Sequence, residues 1–433
     1  MRAVLFDGAA GLRDMADPVV AALTPQLEAL GYTLTRRDLS TLEIPECKGD
    51  FGCWTVTPGR CVHPGPHRDL ARELIQSDLA VWLTPVTFGG YSSALKKQLD
   101  HCIPLISPLM TTVDGETHHE PRYDRFPKLL VIGLMQTPAS NEVRVLARLV
   151  QRNALNMYAP RFASPVLTRD ELPQLPALVT RWMEDLAGSG PPRVAAEPLE
   201  LGSRPALPAS IPRRALLLVG SPRGRASVSG AIADHLESLL RGRGLTVATE
   251  HLQEHLRKDP ELRKLAQRLG QADLVALATP LYVDSLPARV TEAFELFARA
   301  RSEDPGPHAR LLAVVNCGFP EAVHTDTALA ICRAFAERAG LDWIGGLGIG
   351  GGGMLAGKPL AELGGRARFV TRALDLTADA IAQGQVVPDE AQRLARKLPI
   401  PKWVYRYAAD WGFRREARRR GTARRLGEGP DLQ

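Results

Sequence analysis

One β–α–β pattern occurs twice in this chain, and that repetition constrains the fold more than any other feature. Residues 3–39 and residues 215–252 each run from an apolar segment through a Gly-containing turn into an amphipathic helix, a glycine and a second alternating run. Segments 75–100 and 270–295 continue the parallel. In both, an aspartate (Asp78, Asp273) precedes by seven residues the proline of a Thr-Pro pair (Pro85, Pro280). Apolar runs at 129–135 and 311–318 follow, with a last strand expected near 157–167 and 343–350. Short continuous apolar runs alternating with helical stretches suit parallel strands covered on both faces. The expected architecture is α/β: two tandem doubly wound parallel sheets, each a three-layer α/β/α domain, plus a basic helical C-terminal tail. The boundaries fall at 1–188 and 213–388, with a Pro- and Gly-rich linker at 189–212 and the tail at 389–433. Between its first two units the first half holds about 17 residues more than the second, in step with a cysteine segment at 47–61.

Composition excludes several classes. Hydrophobic residues make up 45% and charged residues 24%, an ordinary balance for a water-soluble chain. No apolar run reaches the 18 or so residues that a spanning helix needs. The N-terminus enters an apolar strand directly, without the pattern of a secretion signal, and six cysteines are too few for a disulfide scaffold. A cytoplasmic setting with reduced thiols is expected. The formal charge of +6 is concentrated: residues 391–433 hold 12 Lys/Arg against 4 Asp/Glu, so the other 390 residues carry 42 against 44. The basic character belongs to the tail, so no nucleic-acid partner is expected of the folded body.

Right-handed crossovers bring the loops at the carboxyl ends of the strands together. Gly220-Ser221-Pro222-Arg223, followed by Ser227 and Ser229, joins an apolar strand to a helix. A helix N-terminus, three hydroxyls and the charges of Arg223 and Arg225 suit a phosphate monoester; plain helix capping by Ser227 or Ser229 is the alternative. The dinucleotide fingerprint G-x-G-x-x-G is absent here. Thr279-Pro280-Leu281-Tyr282 closes the next strand and Asn316-Cys317-Gly318-Phe319-Pro320-Glu321 the one after. Three such loops on consecutive strands form a crevice of the kind that holds FMN in this architecture.

These loops, in this order, resemble the NAD(P)H-dependent FMN reductase and iron–sulfur flavoprotein group of the flavodoxin-like superfamily, over nearly all of residues 1–390. The resemblance implies that Ser221, Arg223, Ser227 and Ser229 bind the ribityl phosphate. It also implies that Pro280, Leu281, Tyr282, Cys317, Gly318 and Phe319 cradle the isoalloxazine ring. FMN is then the cofactor and NAD(P)H the co-substrate, with hydride or electrons passed to a small acceptor such as a quinone, a nitro compound or flavin. The flavin carries the chemistry, so no dedicated acid–base side chain is expected. An FMN carrier serving a protein partner, or a protein that has lost flavin, are the rival readings.

The first half departs from the pattern. Its loop from Asp7 to Asp14 offers no hydroxyl, and its two aspartates would repel a phosphate. Its second loop, with Pro85, Phe88 and Tyr91, still fits a ring cradle. The first domain thus reads as a degenerate copy, with Phe88 and Tyr91 available to cover the flavin of the second. A fused pair of this kind can already supply a usual dimer contact, and a homo-oligomer is also compatible.

Cys47, Asp50, Cys53 and Cys61 resemble the compact cysteine motif of iron–sulfur flavoproteins, with Asp50 where a cysteine is usual. A [4Fe–4S] cluster normally takes four thiolates. Zinc is another reading, with His63 and His67 close in sequence, and so is a buried loop inherited from a cluster-binding ancestor. Cys332 reads as core, and His118 and His119 as surface. The glycine run 345–353 lacks the Lys-Ser/Thr of a phosphate loop and is expected to let main chain approach the ring or the partner domain, with Lys358 near a cofactor phosphate. In the tail, Trp403, Tyr405, Tyr407, Trp411 and Phe413 interleave with Arg and Lys, which fits either packing onto the body or peripheral contact with an anionic membrane.

Overall fold

The computed structural model describes residues 1–188, 211–255, 265, 268–304 and 308–430. The linker expected at 189–212 falls, for residues 189–210, outside them. The chain divides into two compact units: residues 1–112, 118–198 and 410–433 form the first, and 113–117 with 199–409 the second. The tail is therefore shared out, residues 389–409 with the second unit and 410–433 with the first.

The first unit holds the parallel strands β1 (Arg2–Asp7), β2 (Thr33–Asp38), β3 (Leu79–Pro85), β6 (Lys128–Met135), β7 (Phe162–Ala163) and β8 (Val166–Thr168), in the order β2-β1-β3-β6-β7 with β8 also on β6. The expected last strand is thus two short pieces. An antiparallel hairpin, β4 (Ile106–Val113) and β5 (Glu116–Pro121), precedes β6 and has no counterpart in the sequence reading. The second sheet runs β10-β9-β11-β12-β13, from β9 (Arg214–Val219), β10 (Thr246–His251), β11 (Leu274–Pro280), β12 (Arg310–Asn316) and β13 (Asp342–Ile349). Both sheets have the flavodoxin-like strand order, so the tandem α/β architecture stands.

Burial explains why these runs are strands. Ala215, Leu217 and Val219 face a core built with Ile232, Leu236 and Leu240 of one helix and Val370, Leu374 and Ile381 of another. The alternate residues Leu216 and Leu218 are buried as well, as parallel strands between two helical layers require. The helix Asp389–Ala395 adds Ala391 and Ala395 to the same core, so the second unit runs past residue 388. The first unit repeats the scheme with Leu5, Val81 and Ile132 against Met15, Leu23 and Trp182.

The paired aspartates acquire a shared role. Asp78 accepts from the N–H of Arg2, and Asp273 from those of Arg213 and Arg214. Each carboxylate pins the start of the first strand of its unit from the foot of the neighbouring strand. These main-chain bonds, with Arg214, outweigh burial and hold Asp273 below the usual carboxylate range.

Phe294 and Phe335 stack at 3.7 Å, almost parallel, in the second unit. Phe335→Ala should cost about 3–5 kcal/mol through lost burial and the cavity left behind. The midpoint of urea unfolding measures it, and a loss below about 1 kcal/mol would show that the site collapses freely.

Candidate flavin site

The strand register sets the site. In the second unit Pro280 pairs with Asn316, and Asn316 with Ile349, so the loops after β11, β12 and β13 leave the sheet side by side. β9 ends next to them, with Val219 beside Ala278. Gly220 follows because a Cβ there would lie 2.5 Å from Val290 and 2.8 Å from the Thr279 hydroxyl.

The three serines of this first loop do different things. Ser227 caps the helix Val228–Gly242: its hydroxyl accepts from the Gly230 N–H at 2.9 Å and donates to the Gly224 carbonyl at 2.6 Å. Ser229 donates to Oδ1 of Asn316 at 2.8 Å. Both protons are committed inside the protein, which corrects the expectation that Ser227 and Ser229 offer hydroxyls to a phosphate. Ser221 accepts from the Arg223 N–H at 3.3 Å and so keeps its own proton to donate. The first N–H groups of the helix, on Val228 and Ser229, have no main-chain acceptor among the described residues. The exposed guanidinium groups of Arg223 and Arg225 have no carboxylate partner among them either. Main-chain donors, one hydroxyl proton and two cations, none of them paired among the described residues, form a donor set suited to a phosphate, so the second unit fits the phosphate end of FMN. Main chain around Gly357 (φ +65°) lies against the same loop, since a Cβ there would come 2.6 Å from the Ala226 carbonyl; exposed Lys358 follows it directly.

The second loop is a tight hairpin turn in both units. Tyr282 and Ser285 exchange main-chain hydrogen bonds at 2.9 and 3.1 Å, and Thr87 and Gly90 do so at 2.9 and 2.8 Å. The two central residues have positive φ in each: Val283 at 51° and Asp284 at 54°, Phe88 at 55° and Gly89 at 77°. A β-branched residue in that region is strained, and such strain persists where the surroundings over-determine it. Pro280, Leu281 and Tyr282 are half-buried on this rim, with the Leu281 N–H donating to the Asn316 carbonyl.

In the third loop Cys317 is buried, its thiol directed at the carbonyls of Phe319 and Glu321 and its pKa pushed up to about 12 by burial. Cys317 contributes main chain to the rim, not a reactive thiolate. Gly318 is exposed, and Phe319 is half-buried and stacked on His324. The glycine run is zipped to this loop: the N–H of Gly351 donates to Phe319 and that of Gly352 to Cys317. A Cβ at Gly350 would lie 2.4 Å from the Pro320 carbonyl, and one at Gly351 2.3 Å from Leu398. The run is thus glycine for close packing within its own unit, a different reason from approach to the ring. Tyr405, which the sequence placed among the tail aromatics, is buried and donates to the Gly318 carbonyl at 2.7 Å.

The first unit fills its phosphate loop with its own anion. Asp7 is fully buried and accepts from the Ala9 N–H, from Arg13 at 2.7 Å and from Arg36 at 2.6 Å. Its carboxylate takes up the donors that a phosphate would need. Pro85 is half-buried and Phe88 is buried. Tyr91, expected to cover a flavin, is a core residue: it bonds Asn153 at 2.7 Å and packs edge-on to Trp82.

Asp50 is held by His63 at 2.7 Å and by the Gly52 N–H, and these partners outweigh burial to keep it below the usual carboxylate range. Burial pushes Cys47 up to about 12 and Cys53 up as well. Neither belongs to a metal-ligating group among the described residues. The one such group of His, Cys and carboxylate ligands among them is Cys61, His67 and His101, with ligand atoms within 4.8 Å of one another. Cys47, Asp50, Cys53 and Cys61 lie near enough to act on one another's charge, but as a set they do not form a ligand group for a single ion among the described residues. His101 lies 40 residues after Cys61, beyond any local motif. Nor are His118 and His119 surface groups: His118 is buried and bonds Asn156, and His119 packs on Trp54. Cys332 is core, as expected.

The sequence profile of the NADPH-dependent FMN reductase family matches residues 1–115 and again residues 213–326. A search of curated proteins gives no match. Among solved structures, an FMN-dependent NADH-azoreductase from Bacillus anthracis, in complex with FMN, is 14% identical with a TM-score of 0.32, covering 39% of this chain and 100% of its own. An NAD(P)H:quinone oxidoreductase from Methanothermobacter marburgensis is 14% identical with a TM-score of 0.28, covering 33% and 85%. A putative quinone reductase from Klebsiella pneumoniae is 11% identical with a TM-score of 0.35, covering 44% and 86%.

Glu321 closes the third loop. Burial raises its pKa, but His324, its own main chain and Lys402 at 3.3 Å outweigh that and hold it at about 2, against an ordinary 4.5. A depressed carboxylate stabilises the fold above its unfolded pKa and loses that contribution as pH falls toward the folded one. Thermal melts from pH 5 to pH 2 should therefore fall less steeply for Glu321→Gln than for the parent. Equal slopes would remove Glu321 from the acid response.

Proposed function

The chain belongs to the NADPH-dependent FMN reductase family, and we propose that its second unit alone holds the FMN and works as an NAD(P)H-dependent reductase of quinones, nitro compounds or flavin. Family membership makes it an FMN- and NAD(P)H-dependent oxidoreductase; the choice of unit and of acceptor is the proposal. The observation that carries it is the contrast between the two first loops. One presents unaccepted N–H groups beside Arg223 and Arg225, and the other is filled by Asp7.

The residues divide the work. Val228 and Ser229 N–H, Ser221 Oγ, Arg223 and Arg225 would bind the phosphate. Pro280, Leu281, Tyr282 and the main chain of Cys317, Gly318 and Phe319 would flank the ring. When bound, FMN supplies the redox chemistry, accepting hydride from a nicotinamide and delivering electrons to a small acceptor. The strained turn at Val283-Asp284 and the Tyr405–Gly318 bond would fix the rim in place before binding, so that little ordering remains to be done.

Two outcomes test this reading. Arg223→Ala should weaken FMN binding about tenfold, roughly 1.4 kcal/mol, and leave riboflavin affinity unchanged. Equal effects on both ligands would put Arg223 away from the phosphate. Anaerobic mixing with NADPH or NADH should bleach the bound flavin; a flavin that stays oxidised with both would favour a carrier fed by a protein partner.

A contact with anionic membrane is proposed for the tail helix Lys402–Arg419. Tyr405 is buried and Phe413 packs on Phe51 and Trp54, whereas Trp403, Tyr407 and Trp411, four residues apart, are 73%, 74% and 51% exposed. Arg415 stacks over Trp411. An exposed aromatic row among arginines suits an anionic lipid surface. The protein should co-sediment with phosphatidylserine vesicles and not with phosphatidylcholine ones, and Trp403→Ala with Trp411→Ala should abolish it. Equal sedimentation with and without anionic lipid would contradict this.

A further inference from the structure

One cysteine of the segment, Cys61, comes together with two histidines from farther along the chain, His67 and His101. His67 is the first residue of the helix His67–Gln76 and is fully buried. Neither of its ring nitrogens makes a well-formed hydrogen bond among the described residues, the nearest acceptor being the His63 main chain. A buried imidazole so poorly satisfied is costly, and it calls for an occupant at the site. His101 caps the carboxyl end of the helix Ser93–Asp100 and stacks on His67 with ring centroids 3.9 Å apart. Its Nε2 lies 2.8 Å from the Pro45 carbonyl, which fixes the proton on Nε2 and leaves the Nδ1 lone pair free. That lone pair faces Sγ of Cys61 at 3.8 Å.

We propose that Cys61, His67 and His101 bind one Zn²⁺ ion, with water in the fourth position. Two imidazoles and a thiolate match the borderline-soft character of zinc. The ligand atoms must draw in from within 4.8 Å to the edge of a zinc tetrahedron, about 3.3–3.6 Å from Zn–N and Zn–S lengths, and the two stacked imidazoles must turn so that their in-plane lone pairs converge on the ion. The Pro45 carbonyl is the outer partner that orients a ligating histidine. The carboxyl end of the Ser93–Asp100 helix adds negative potential at His101. Cys61 is half-exposed, which gives the ion an entry route and the fourth position access to water. The ion would clip the inserted loop to the ends of two helices in the first unit, coupling binding to local folding.

The test uses the full-length, tag-free protein, incubated with Zn²⁺, desalted and analysed for metals by mass spectrometry. One zinc per chain is expected. Cys61→Ser and His101→Ala should each lose at least nine-tenths of it, while His63→Gln, which alters a histidine outside the group, should keep it. Co²⁺ in place of Zn²⁺ should give four-coordinate bands at the red side of the flavin absorption, present in the parent and absent in His101→Ala. Circular dichroism establishes that the variants are folded; for a variant that is not, the parent's zinc content and Co²⁺ bands decide alone. Zinc retained by folded Cys61→Ser, substoichiometric zinc in the parent, or iron with acid-labile sulfide in its place would each overturn the proposal.

Discussion

Parallel strands buried on both faces leave a chain few places for polar chemistry. In each unit the sheet lies between helical layers, and its strands carry apolar residues toward both. Donors and charges are therefore pushed to the loops at the strands' carboxyl ends, where helix N-termini also point. The paired aspartates Asp78 and Asp273 tie down the opposite end, each holding the start of a first strand. With that end fixed and the strand register set, the position of every rim loop follows.

The two copies then diverge through the residue that fills the first loop. In the second unit the loop is lined by main-chain donors, Ser221 and two exposed arginines. In the first, Asp7 supplies the negative charge from within and draws Arg13 and Arg36 onto itself. A buried carboxylate satisfied in this way is difficult to displace, because removing it would leave Arg13 and Arg36 close together with only Asp38 and Asp17 to balance them. The neighbouring turn kept its strained geometry in both units even though the first loop did not. The turn thus answers to the fold of the rim, while the first loop answers to the ligand.

Much of this was legible in the sequence, because repetition and apolar periodicity report burial directly. The strand runs, their grouping into two doubly wound parallel sheets and the poverty of the Asp7 loop all follow from residue type and spacing. What escaped was decided by pairing over long sequence distance. Ser229 looks like a phosphate ligand until Asn316 takes its proton, 87 residues on. Tyr91 looks like a ring cover until Asn153 holds it in the core. His101 joins Cys61 and His67 only because a helix end delivers it. Glycines 350–352 look like a ligand loop, yet they are small because the Pro320 and Cys317 carbonyls and Leu398 crowd them. Side-chain direction, which local spacing does not encode, made each of these differences.

Flavin stoichiometry reaches the centre of the account, since it asks whether one unit binds and the other does not. Protein saturated with FMN, freed of excess ligand and denatured would be assayed for released flavin per chain. One FMN per chain is the result expected if the Asp7 carboxylate closes the first loop and the Ser221–Ser229 loop accepts the phosphate. Two per chain would show that the first unit also binds despite Asp7, and none would contradict a flavin site in the second unit.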